Sequence, residues 1–322
     1  MKVLRIVLAV IITLGMLYIA RTNSEGRPEE YTHDENYFSF HMISVPKIVE
    51  HEADTIKVTV KGPMAGRRLM LRTTQGVPRE RLDINNFGVY SARLMHSYLD
   101  APDLYLIPAR AEAKGGRFYY YFEVRDFENN VLATFTKPDG SPFLLKYIGE
   151  VPSVILLGHI LFIFATVFFI SLATVHGFRV LTTGEGLRPM AVYLFWGTAC
   201  CLIGCYPLGI PMNWYAFGAT WEGVPFGTDA TDNKTQLLFV FMLFAMLSTL
   251  GTLTRGKFGR DLFGTKTLGV IGVGTFVVML FIYLIPHSIQ FDPTFTYGFC
   301  YTWIGVVAAL YLFGLLKSRR RA

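Results

Sequence analysis

Five long runs in the second half of the chain, 151–175, 190–210, 237–253, 268–285 and 297–316, are almost free of charge. Each comes close to the roughly 20 residues that a helix needs to cross about 30 Å of hydrocarbon at 1.5 Å per residue. A sixth run, 3–20, opens the chain. The pattern predicts a membrane all-α bundle of six transmembrane helices, and composition agrees: 52 % of the 322 residues are hydrophobic and the mean hydropathy is +0.38, more apolar than a soluble domain. Lys2 and Arg5 precede the first run as they would in a secretory signal, but Tyr18 stands where a cut after Ala20 wants a small residue. Run 3–20 therefore reads as an uncleaved anchor.

Basic residues gather at alternate ends of the runs, which sets an orientation. With the N-terminus cytoplasmic, the inside segments hold Lys2, Arg5, Arg179, Arg188, Arg255, Lys257, Arg260, Lys266, Lys317, Arg319, Arg320 and Arg321, against Glu185 and Asp261 alone. The inside thus carries +10 and the remainder −4, which accounts for the net +6 without any nucleic-acid partner. The expected location is the inner (cytoplasmic) membrane, multi-pass, with both termini cytoplasmic and the lipid bilayer itself as first partner. The basic residues 318–322 form a cytoplasmic tail that attracts anionic lipid. Cys200, Cys201, Cys205 and Cys300 all fall inside apolar runs, so no disulfide framework is available outside them.

Between the first two runs the character changes. Residues 22–41 are polar and acidic and read as a linker; residues 42–148 alternate with a period of two, the mark of half-buried strands. Strands are predicted over 55–61, 67–73, 89–94, 104–108, 117–125, 131–135 and 142–147, separated by turn pairs such as Gly62-Pro63, Gly115-Gly116 and Asn129-Asn130. In 117–125 the alternation puts Phe118, Tyr120, Phe122 and Val124 inward and Tyr119, Tyr121, Glu123 and Arg125 outward. Seven short strands in about a hundred residues predict an inserted all-β sandwich on the extracytoplasmic (periplasmic or extracellular) side. The hairpin RFYYYFEVRDFENNVLATF is similar to the late strands of bacterial immunoglobulin-like and fibronectin-III-like domains, a resemblance that implies a fold and no ligand. The whole layout resembles uncharacterised bacterial polytopic envelope membrane proteins. Only a few residues separate 142–147 from the second span, so the sandwich is expected to rest on the outer surface above the loop 211–235.

Within the bundle 151–317, Gly197, Cys201, Cys205 and Gly209 recur every four residues and predict close helix approach, as do Gly269, Gly272, Gly274, Gly305 and Ala309. The five C-terminal runs contain no Asp, Glu, Lys or Arg. A proton- or ion-coupled transporter, the third functional class considered, normally needs a carboxylate at depth. His159 is the one ionisable group well inside a run; His176 sits at the inner end of the same helix and His287 at the outer end of another. A haem b held between His159 and His287 is one reading, whereas His176 has no partner histidine at its depth.

The outer loop 211–235 gathers Glu222, Asp229 and Asp232, oxygen donors suited to a metal ion, among Trp214 and Trp221. The same residues serve structure: aromatics prefer the membrane interface, and Thr231-Asp232-Asn233 reads as an N-cap for the following helix, with Lys234 neutralising Asp232 or Asp229. The sequence therefore points first to a non-catalytic subunit or docking partner of a larger membrane or envelope assembly, needing no cofactor. Trp214, Trp221, Tyr119 and Tyr121 are its expected contact residues. The competing class is an outer-leaflet redox or metal-dependent protein using His159, His287 and the loop carboxylates.

Overall fold

The alternation of residues 117–125 builds the central strand of one half of the molecule. The structure, a computed structural model, describes residues 2–22, 28–50, 55–74, 90–109, 113–285 and 291–319. The chain divides into a β unit, Glu25–Val151 with Trp214–Ala219, and a helical unit, Met1–Ser24, Pro152–Asn213 and Thr220–Ala322.

The β unit is sandwich-like. One sheet runs β1 (Glu29–Glu35), β2 (Phe38–Ser44), β4 (Thr55–Lys61), β8 (Ala101–Pro108) and β7 (His96–Tyr98). The other runs β3 (Lys47–Val49), β11 (Phe143–Ile148), β9 (Arg117–Arg125), β5 (Arg68–Thr73) and β6 (Ser91–Leu94), with β10 (Val131–Phe135) also pairing with β9. One edge of β9 is shared: β11 takes residues 117–120 and β10 takes 122–125, while β5 lies along the other edge. Inward residues of both sheets, among them Phe40, Leu71, Phe122, Val124 and Phe143, form one apolar core.

Two expectations are corrected here. The segment 22–41 is not all linker, because β1 and β2 occupy 29–44. β1, EEYTHDE, is an edge strand whose side chains stay exposed or half-exposed, so its polarity does not forbid pairing, while Phe38, Phe40 and Met42 of β2 alternate into the core. The second correction concerns Tyr119, Tyr121 and Glu123, expected on a wet face. They are buried, since β9 is covered on both sides: Tyr119 and Tyr121 cluster with Tyr90 and Leu144. Glu123 accepts a bond from Arg125 at 2.7 Å and has Arg72 at 3.7 Å.

The segment Trp214–Ala219 completes the β unit. Gly149 N–H donates to the Ala216 carbonyl at 2.8 Å, and the Lys114 ammonium stands 5.4 Å from the Trp214 ring and 5.8 Å from that of Tyr215.

In the helical unit, four helices are long and apolar enough to cross a membrane among the described residues. They are α2 (Ser153–Thr183), the continuous stretch Leu187–Phe217, α7 (Thr265–Leu284) and α8 (Pro293–Arg319). The second comprises α3 (Leu187–Ile203), a π-helical turn Gly204–Leu208 containing Pro207, and α4 (Gly209–Phe217). Six such helices were expected. The apolar stretch of α1 (Lys2–Thr22), Val3–Ile19, is shorter than the others. Run 237–253 is divided between α5 (Ala230–Ser248) and α6 (Leu250–Thr254). The division has a local cause: the Ser248 carbonyl accepts from Leu262 N–H, and the Asp261 carboxylate accepts from Thr252 N–H at 2.7 Å, so the returning loop takes up groups at the break.

Small residues act where expected at some positions only. A Cβ on Gly269 would stand 3.0 Å from Val180 and Leu181, and Gly272 sits against Met190. A Cβ on Gly274 or Gly305 would meet nothing within 4 Å among the described residues, so neither brings a helix close.

Candidate functional site

Polar residues that precede an apolar helix must find partners before they can be buried. Asp232, Asn233 and Lys234, three consecutive residues in the first turns of α5 and ahead of the run 237–253, are all buried. Together they fasten Asn213, the loop 222–224 and the residue just past α7. The Asp232 carboxylate accepts from Glu222 N–H at 2.7 Å and from the Asn213 amide at 3.3 and 3.4 Å. Asn233 Oδ1 accepts from Val224 N–H at 2.7 Å, and Lys234 Nζ donates to the Ile285 carbonyl, just past α7, at 2.8 Å. The N-cap is Asp229 rather than Thr231-Asp232-Asn233: its side chain accepts from Thr231 and Asp232 N–H at 2.8 and 3.1 Å. The helix begins seven residues before the apolar run, which is why the cap falls earlier than read.

These contacts form a clasp. Burial pushes the Asp232 carboxyl up to about 6, reinforced by the charges of Asp229 and Glu222 and opposed by the Glu222 N–H. Burial likewise brings the Lys234 ammonium down to about 8, against the attraction of Asp229. Gly223 is required where the loop crosses α5, because a Cβ there would lie 2.9 Å from both Asp232 Cβ and the Trp221 ring. Trp221 stacks on Tyr206 at 5.4 Å and 21°.

Of the three proposed metal donors, two carboxylates are engaged with backbone amides. Asp229 and Asp232 hold N–H groups, and Glu222 enters through its own N–H and carbonyl. Among the described residues no group of three His, Cys, Asp or Glu side chains, these included, is placed to hold a metal ion. His159 Nδ1 lies 2.8 Å from the Gly204 carbonyl at the π-helical turn. A carbonyl only accepts, so Nδ1 carries the proton, which leaves Nε2 as the lone-pair nitrogen of the neutral form. His287 lies outside the described residues. Cys201 and Cys205 bring their Sγ atoms to 3.7 Å within the helical packing, and all four cysteines are buried and free.

Of the expected contact residues, Tyr119 and Tyr121 are interior, Trp221 is half-buried on Tyr206, and Trp214 is exposed within the β unit. The exposed large side chains of the sandwich lie elsewhere. Strand registers bring the turns 36–37, 62–67, 99–100 and 126–130 to one pole, opposite the end at which β11 leaves at Ile148. There Tyr37, Leu99 and Phe127 are 94, 98 and 70 % exposed. The pole is held in shape: Asn36 and Tyr37 adopt positive φ in a two-residue hairpin turn, Asn36 Nδ2 donates to the Leu132 carbonyl at 2.8 Å, and the Arg68 guanidinium lies 5.4 Å over Phe127. Sequence reading missed this pole because a lone Tyr, Leu or Phe beside a turn carries no periodic signal. It missed Asn213 for a similar reason, one amide in an aromatic stretch.

Set against protein-family models and against curated proteins, the chain matches none.

Proposed function

We propose that the chain is a non-catalytic integral membrane subunit, or docking partner, of a larger membrane or envelope assembly. In this reading α1 and the α5–α6 segment join the four long helices as spans, giving six, with both termini cytoplasmic and the immunoglobulin-like sandwich on the outer side. The observation that carries it is the pole bearing Tyr37, Leu99 and Phe127. A non-glycine residue at positive φ costs free energy, and here the strained hairpin presents a tyrosine to solvent. Aromatic side chains held on a rigid frame, with arginine beside them, are what interface centres are made of. The clasp at α5 supports the same reading, since the Asp229 and Asp232 carboxylates are engaged in holding backbone N–H groups.

The test is purification of the full chain in mild detergent, with a stoichiometric second polypeptide as the expected companion. Replacing Tyr37, Leu99 and Phe127 together by Ser should release it while the chain stays folded. Retention of the companion by the triple variant would overturn the role of the pole.

One observation favours a second reading, an outer-leaflet haem b protein. His159 has its Nδ1–H held by a carbonyl, the arrangement that orients ligating imidazoles. A Soret band in the purified protein, abolished by His159→Ala, would put this reading first.

A further inference from the structure

The turn joining α2 to α3 has donors and charge with too little to satisfy them. α2 ends in Gly184, at φ 75, whose N–H bonds back to the Val180 carbonyl; Glu185 and Gly186 follow, and Gly186, at φ 97, is the N-cap of α3. Among the described residues no side chain caps α3. Pro189 in its first turn has no N–H, and Met190 N–H is bonded to the Gly186 carbonyl, which leaves the Leu187 and Arg188 amides as the open end of the helix dipole.

A second, independent feature points at the same place. His176 is only 9 % exposed, yet its Nδ1 has no hydrogen-bond partner among the described residues. That nitrogen is aimed at the N-cap: a Cβ built on Gly186 would stand 3.3 Å from it. The ring is set by Tyr193 of α3, 5.6 Å away at 32°. The guanidiniums whose charge acts on the ring are those of Arg5 on α1 and Arg179 on α2. The nearest carboxylate in the turn, Glu185, pairs with Arg179, whose guanidinium has five N–H donors and is not exhausted by one partner.

We propose that this turn binds a phosphate group, held by the open amides of α3, the Nδ1–H of His176 and the guanidiniums of Arg5 and Arg179. Tetrahedral phosphate oxygens suit donors arriving from three elements better than the two coplanar oxygens of a carboxylate, and helix N-termini with arginine are ready-made for them. The phosphate belongs either to an anionic phospholipid headgroup or to a free phosphate. The proposal is independent of the assembly reading above.

The experiment uses the full chain in detergent, titrated with short-chain phosphatidic acid in one arm and with inorganic phosphate in the other, followed by native mass spectrometry and tryptophan fluorescence. The expected result is one bound phosphate group per chain. His176→Phe and Arg5→Gln should each weaken binding roughly tenfold, the equivalent of one charge-assisted hydrogen bond. Glu185→Gln, which frees Arg179, should tighten it, and Lys57→Gln on the sandwich should leave it unchanged. Binding of the lipid with no competition from inorganic phosphate identifies a headgroup; binding of inorganic phosphate alone identifies a free anion. Saturation in neither arm, or equal affinity in wild type, Arg5→Gln and Glu185→Gln, would overturn the proposal even if His176→Phe proved unstable.

Discussion

Phe122 and Phe281 are the same residue in opposite surroundings. Phe122, on β9, is 0 % exposed within the sandwich core; Phe281, on α7, is 67 % exposed. The contrast extends to whole elements. The sandwich turns its large apolar side chains toward one another, whereas α2, α7 and α8 carry exposed Val154, Leu161, Val277 and Leu316 along helices otherwise nearly free of charge. A protein surface can tolerate scattered apolar groups, but a continuous apolar coat requires a nonaqueous neighbour. The β unit is thus stabilised by excluding water from inside, and the helical unit is built as if water were excluded from outside.

The largest effect expected from that contrast is in stability. Phe122→Ala should cost about 3–5 kcal/mol through lost burial and the cavity left behind. Phe281→Ala, measured by thermal unfolding in the same detergent, should stay within about 0.5 kcal/mol. Equal losses would erase the distinction. Val277→Arg then tests what surrounds α7, because Val277 lies near the middle of the helix and is exposed: at the centre of a span a charge raises the insertion cost by about 2.5–3.5 kcal/mol, so the variant should integrate into membranes poorly, whereas Tyr37→Arg on the sandwich should integrate as wild type. Normal integration of Val277→Arg would remove α7 from any bilayer.

Buried polar groups sharpen the comparison. In the sandwich, Glu123 is buried beside two guanidiniums; in the helical unit, Asp232 is buried on N–H donors. With Asp232 raised from 3.8 to about 6, the folded state holds a proton that the unfolded chain has already released. Stability should therefore fall as pH rises from about 4 to about 6, by an amount on the order of 3 kcal/mol, and Asp232→Asn should flatten that slope. An Asp232→Asn variant whose stability followed pH as the wild type does would disprove this assignment. The smallest effect is at the cap: Asp229→Ala should cost about 1 kcal/mol and loosen residues 222–229, seen as faster amide exchange there.

Much of this architecture was legible in the residues. Strands 55–61, 117–125 and 131–135 occur where they were expected, and the apolar runs fall on helices, except that run 237–253 is broken between α5 and α6. The misreadings share a physical origin. Alternation in β9 was taken to mean one wet face, but sequence period reports which side chains differ, not whether something covers the second side. β1 was missed because an edge strand needs only backbone pairing. The clasp was half visible: its acids stand out in the loop, but a carboxylate that will accept a backbone N–H looks the same in sequence as one that will hold a cation.

Trp214–Ala219 gives the β unit an unusual dependence on distant synthesis. A fragment ending at residue 150 would contain all eleven described strands yet lack the partner of the Gly149 amide and the rings beside Lys114. On the ribosome the strands emerge more than sixty residues before that piece does, so the domain must wait, nearly finished, for a segment made after two long helices have begun to form.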